Sequence, residues 1–214
     1  MRTGWFALAL AVLGCAWLGP LPALARHSFA AHMTIHIAVV AVAAPLLALA
    51  MAGRAADPVR ARPRLVAPIP ASMIELVVVW AWHVPALHHA ARLGSGTFVL
   101  EQASFVAAGV LLWIAAIGGD REQRRLRAGA GIVALLFTSM HMTLLGALFA
   151  LTTRPLFQHT EAATGIAAVV DQQLGGVIML LVGGASYLVG GLCLTSTALR
   201  SKATASFARQ GSTV

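Results

Sequence analysis

The stretch Ala30–Met51, AAHMTIHIAVVAVAAPLLALAM, runs for 22 residues without one Asp, Glu, Lys or Arg. A helix needs about 20 apolar residues to cross the hydrocarbon core of a bilayer, so this stretch reads as a membrane span. Similar runs occupy Trp5–Leu24, Pro70–Leu87, Thr97–Ile117, Ala128–Leu151 and Val169–Leu194. Together they predict an all-α, polytopic transmembrane helix bundle of five or six spans. The loops between them are too short to hold a separate soluble domain. Composition agrees: 10% of the 214 residues are charged, against about 25% in soluble domains, and the mean hydropathy is +0.83.

The net charge of +8 belongs to the topology and is no nucleic-acid patch. With the loops assigned alternately to two sides, one side takes Arg2, Arg54, Arg60, Arg62, Arg64, Arg121, Arg124, Arg125, Arg127, Arg200, Lys202 and Arg209. The other takes only Arg26, Arg92 and Arg154. By the positive-inside rule the C-terminus is cytoplasmic and the 152–168 loop lies outside. Residues 1–25 read two ways. Arg2, an apolar run and Ala23-Leu24-Ala25 fit a cleaved signal peptide, and the same run fits a first transmembrane helix. Residues 26–199 form the bundle and 200–214 a polar cytoplasmic tail.

The histidines separate from the arginines. His27, His32, His36, His83, His88, His89, His141 and His159 lie in or beside the apolar segments, mostly toward the outer side, and none lies in the arginine-rich loops. His32 and His36, four apart, share one helix face. Met33 can add a thioether, and imidazole with thioether suits Cu(I). His83 lies within its span, a turn below His88; His88 and His89 read as solvated. His141, between Met140 and Met142, is the deepest, and ionisable groups at such depth usually face a bundle interior. Glu101 and Asp171, near the outer starts of their helices, could orient or neutralise a site or simply cap those helices.

Other chemistry finds little support. Cys15 and Cys193 lie at different depths with no CxxC, so neither a disulfide nor a thiolate metal site is expected. No nucleotide loop and no hydrolase triad is present. Trp80 and Trp82 read as interfacial-belt residues. The glycine pairs Gly175-Gly176, Gly183-Gly184 and Gly190-Gly191 read as a packing stripe.

The segment Asp171-Gln172-Gln173-Leu174-Gly175-Gly176-Val177-Ile178-Met179 resembles the cytochrome c oxidase assembly factor family of caa3 type, the CtaG-like membrane proteins. So do His32-Met33, His36 and Pro45-Leu46-Leu47, the element Trp82-His83-Val84-Pro85, the helix from Glu101 to Trp113, Leu144-Leu145-Gly146-Ala147-Leu148, and Pro155-Leu156-Phe157. The resemblance covers about Ser28 to Tyr187. It implies a non-enzymatic accessory protein for assembling a haem-copper cytochrome c oxidase, delivering copper on the periplasmic side. His32, Met33, His36, His83, Glu101, His141 and Asp171 are then the candidate metal residues. Membrane lipid, an oxidase subunit and a periplasmic copper donor are the expected partners, and nucleic acid is not. One position departs: Gln102 stands where the family usually has histidine. Two other readings stay open. In a b-type cytochrome, haem would sit between two histidines such as His36 and His141; a cofactor-free scaffold would dock the oxidase.

Overall fold

The computed structural model describes residues 2–157 and 167–210. All regular structure among them is helical. In chain order the helices are α1 (Arg2–Leu18), α2 (Leu21–Leu24), α3 (Phe29–Ile37), α4 (Ala44–Met51), α5 (Pro58–Ala61), α6 (Pro68–Trp82), α7 (Pro85–Leu93), α8 (Ser95–Ile117), α9 (Arg121–Ala150), α10 (Ala168–Ile178) and α11 (Ala185–Gln210). A π-helical stretch, Ala38–Ala43, joins α3 to α4 without a break, and another, Met179–Gly184, joins α10 to α11.

Four helical rods are long and apolar enough to cross a membrane: Phe29–Met51, Ser95–Ile117, Arg121–Ala150 and Ala168–Leu199. The pair α6 and α7 is apolar and long enough only when taken together, and it is bent by 73°, as in a broken span or a re-entrant loop. The chain is therefore a multi-pass membrane bundle, as its composition predicts. Helix α1 is apolar but shorter, at 17 residues, about 25 Å at 1.5 Å per residue. It packs on the α3–α4 rod. Beyond Leu199 the segment expected to be a tail continues as helix to Gln210.

The third apolar segment was expected to span in one piece, and it does not. Pro85 disfavours a helical conformation at Val84 and cannot donate to the preceding turn. Helix α6 accordingly ends at Trp82, and α7 departs in a new direction. The bend also moves Trp82 out of any interfacial belt. Trp82 is buried, and its Nε1 donates to Ser104 Oγ at 2.8 Å, tying α6 to α8.

The glycine stripe is divided among three neighbours, α3, α8 and α9. A Cβ on Gly175 would strike Phe29 of α3, one on Gly183 would meet Ile37 at 2.9 Å, and one on Gly190 would meet the Trp113 ring. The second glycine of each pair faces α9 instead. Gly176 abuts Ala150 and Gly146, Gly184 abuts Thr143, and Gly191 abuts Leu136. Packing this close is how small residues hold membrane helices together.

Asp57 joins the two arginine-rich loops. Its Oδ2 accepts from Gly53 N at 2.7 Å and Gly119 N at 2.6 Å, and its Oδ1 from Val59 N at 2.9 Å. Both glycines have positive φ, +74° and +90°, a conformation that glycine adopts without a Cβ penalty. Replacing Asp57 with alanine leaves these donors without their acceptor, an expected loss of about 2 kcal/mol. Thermal unfolding in detergent would measure it; an unchanged midpoint would show that Asp57 does not anchor these loops.

Candidate metal centre

Helices α3, α6, α7 and α8 bring four of the expected residues and two unexpected ones to one chamber. His32 and His36 project from the same face of α3 and are fully buried. His83, at the C-terminus of α6, meets both: ring centres lie 6.0 Å from His32 and 5.2 Å from His36. His88 was expected in solvent but is buried, edge-on to His32 at 4.8 Å. The bend before Pro85 is the cause, since it folds α7 back over the ends of α3 and α8. The same bend turns Arg92 inward, one turn beyond His88.

The electrostatics of the chamber are nearly neutral. Glu101 of α8 is fully buried and forms an ion pair with Arg92. Its other oxygen lies 3.9 Å from His32 Nε2. Gln102 donates from Nε2 to Glu101 at 3.1 Å and accepts from Trp17 Nε1 of α1 at 3.0 Å. The residue that departs from the family pattern thus braces Glu101 and links α1 to the chamber. Walls of Phe105, 4.2 Å from the His36 ring, and Phe149, 5.6 Å from His83, close it off from lipid.

The imidazoles are supplied with free lone pairs. His83 Nδ1 lies 2.6 Å from Val79 O. A carbonyl only accepts, so Nδ1 carries the hydrogen and Nε2 keeps its lone pair. Neither ring nitrogen of His32 or His36 has a hydrogen-bond partner, and neither has His83 Nε2 or Glu101 Oε1. Buried polar atoms left this way are costly and call for a ligand or a functional reason. Two imidazoles sharing one ion at bonds of about 2 Å have ring centres on the order of 5–6 Å apart, and the pairs here span 4.8–6.0 Å. The donors therefore suit a metal by chemistry and spacing. Among the described residues, however, no three His, Cys, Asp or Glu side chains already surround one point as a formed site.

Three expected residues stand apart from this group. Met33 is buried with its Cγ against Gly175 of α10. His141 is buried on α9 beside Phe137, at 5.6 Å, and within electrostatic reach of His36. Its flanking Met140 is 61% exposed on the outside of the bundle, whereas Met142 is fully buried.

Asp171 does not cap its own helix. Its carboxylate accepts from Ser28 Oγ at 2.7 Å and Phe29 N at 2.5 Å, and so caps the start of α3. The next two residues of the motif pin the loop after α9. Gln172 Oε1 accepts from Leu156 N at 2.7 Å, and Gln173 Nε2 donates to Thr152 O at 2.9 Å. That loop delivers Phe157 onto His88, with ring centres 4.4 Å apart, and onto Phe29 in a stack at 4.6 Å. A cavity of about 170 Å³ opens there, lined by Ser28, Phe29, Pro85, His88, Arg92 and Phe157 among others. The Asp-Gln-Gln motif thus shapes the mouth of the chamber.

His89 lines the same cavity, and His159 lies outside the described residues. Cys15 and Cys193 are exposed and unbridged. Sequence reasoning missed Arg92 and Glu75. A lone glutamate within Pro68–Trp82, Glu75 is fully buried, and an acid inside an apolar span is itself a functional signal.

No curated protein and no solved structure matches this chain. The match with a known family, in contrast, covers residues 1–201, almost the full length. That family is described as the cytochrome c oxidase caa3 assembly factor, Caa3_CtaG, and the chain belongs to it.

Proposed function

We propose that this protein is a membrane accessory factor that binds Cu(I) in the imidazole chamber and passes it to a haem-copper cytochrome c oxidase during assembly. It acts as a carrier and not as a catalyst. The observation that carries the reading is the convergence of His32, His36 and His83 with unpartnered ring nitrogens beside an already neutralised Glu101–Arg92 pair. Neutral imidazoles bind a soft monovalent ion without adding net negative charge, and such labile coordination lets the ion move on. His88 stands between the mouth cavity and His32, where an arriving ion would first meet a donor. The arginine distribution favours a periplasmic chamber, which is where a copper donor and the oxidase's outward-facing centre would meet it.

The test is copper retention after anaerobic Cu(I) loading and chelator washing. Wild-type protein should keep near-stoichiometric copper and the His32→Ala/His36→Ala variant should lose it. Equal retention in the two would end the proposal. In the host, His36→Ala should lower oxidase activity while the abundance of this protein holds. A b-type haem is less well supported. A porphyrin needs a flat slot between its axial rings, and here Phe105 and Phe149 fill the space beside His36 and His83. A Soret band after haem supply would reverse that judgement.

A further inference from the structure

Eight residues before His83 in the chain, Glu75 of α6 occupies a second polar centre. That separation is about 12 Å along the helix. Tyr187 Oη of α11 lies within hydrogen-bonding distance of Glu75 Oε1 and 3.1 Å from Val40 O. Trp113 Nε1 also donates to Val40 O, at 3.2 Å. The second oxygen, Oε2, makes no hydrogen bond of good geometry, although the Thr138 hydroxyl of α9 lies close enough to interact with the carboxyl. Of the elements packed around the carboxyl, α11 contributes Tyr187, α9 contributes Thr138, α8 contributes Trp113, and the first π-helical stretch contributes Val40 O. Tyr187 is the only titratable group among these, and no arginine or lysine pairs with Glu75 among the described residues.

Counting protons, with the missing counter-ion, favours one state of the carboxyl. Tyr187 has one hydrogen and two oxygen neighbours, Val40 O and Glu75 Oε1. A carbonyl cannot donate, so if Tyr187 donates to Val40 O, the hydrogen between Tyr187 and Glu75 must come from the acid. A bare carboxylate with no counter-ion in the bundle interior is too costly to persist. Glu75 is then a neutral acid that donates to Tyr187.

An ion entering the histidine chamber adds one positive charge that the Glu101–Arg92 pair does not offset. At about 12 Å and an effective interior dielectric of about 20, that charge shifts the acid's proton equilibrium about tenfold toward loss. Glu75 is placed to answer it by losing its hydrogen.

We propose that Glu75 and Tyr187 form a proton site, which holds one proton in mid-membrane and releases it to water when a monovalent cation occupies the chamber. Where the proton leaves, the balance is one cation in, one proton out, with no change in the net charge of the bundle and no redox step. This coupling rests on the chamber binding a metal ion, whereas the protonated acid does not.

The test uses purified full-length protein in detergent, with Ag(I) as a redox-stable probe. In the infrared difference between wild type and Glu75→Gln at neutral pH, a protonated-acid carbonyl band that shifts in D2O is expected. On Ag(I) titration in weak buffer near neutral pH the wild type should release a measurable fraction of a proton per bound ion, and Glu75→Gln should bind the ion and release none. Absence of the acid band overturns the proposal whatever the chamber binds. Ion binding without proton release, or with equal release from Glu75→Gln, overturns it as well. An intact acid band with no Ag(I) bound would defeat the chamber reading, and the coupling with it. If Glu75→Gln fails to accumulate, Tyr187→Phe decides the matter: it removes the acceptor of the acid hydrogen, so the band must move, and an unmoved band counts against the site.

Discussion

Replacing Arg92 with alanine should cost about 3–5 kcal/mol of stability, and adding Glu101→Gln in the same chain should recover most of it. Glu101 is fully buried between α3 and α8, with Arg92 as its ion-pair partner. Gln102 bonds to the same oxygen that faces Arg92, and the other oxygen has no hydrogen-bond partner. Removing one member of a buried pair strands the other as an uncompensated charge, and that produces the large loss. Glutamine removes the charge while keeping an oxygen for Gln102. Thermal unfolding of the two single variants and the double in detergent closes the cycle. If Arg92→Ala unfolds at the wild-type temperature, the pair does not hold α7 over the chamber.

The second large effect is a contrast between two glycines. Gly176→Ala places a methyl against the Ala150 backbone, with Gly146 O only 2.7 Å away and Phe149 C at 2.9 Å. These are backbone atoms of a 30-residue helix and cannot swing aside. Helices α9 and α10 must separate, at about 3 kcal/mol. The separation also slackens the loop held by Gln172 and Gln173, so the mouth of the chamber should open together with the loss of stability. Gly129→Ala meets nothing within 4 Å and lies inside α9, where alanine is favoured by about 0.5–1 kcal/mol. The two changes should move the unfolding midpoint in opposite directions. Movement in the same direction would show that the stripe does not set the α9–α10 distance.

The rods and the α3 half of the chamber were legible in the sequence. An uncharged run of over 20 residues has one physical solution, and two histidines four apart within it must share a face. The remainder of the chamber depends on the direction of a bend. Pro85 announces that a helix stops, but no local pattern says that α7 returns over α3 and α8. His88 therefore read as solvated and Arg92 as an ordinary loop charge, although both are buried. Asp171 was recognisable as a capping carboxylate; that it caps a helix 140 residues away in the chain depends on packing alone. Gln102 looked like a lost ligand, whereas its two hydrogen bonds give it a bracing role. Glu75 could have been noticed from its surroundings, Ile74 and Leu76-Val77-Val78-Val79, because an acid is expensive among such neighbours. Its partner Tyr187 is more than 100 residues away, beyond the reach of any local signal.

The π-helical stretch Ala38–Ala43 has a consequence for how this rod can change over time. A π turn takes one residue more than an α turn, and one residue is about 100° of rotation. The histidines before the stretch and Ala44 and Ala48 after it are therefore set on two independently phased faces, like cylinders on one crankshaft. A single-residue deletion within the stretch removes the extra residue and leaves a plain α-helix with both faces still in phase. Relaxing to α-helix with that residue kept would instead turn one end by about a quarter of a revolution, so either His32 and His36 would leave the chamber or Ala44 would leave Gly109 of α8. The π-helical stretch is thus the one place in this rod where the loss of a residue leaves both faces where they are; anywhere else it turns them apart.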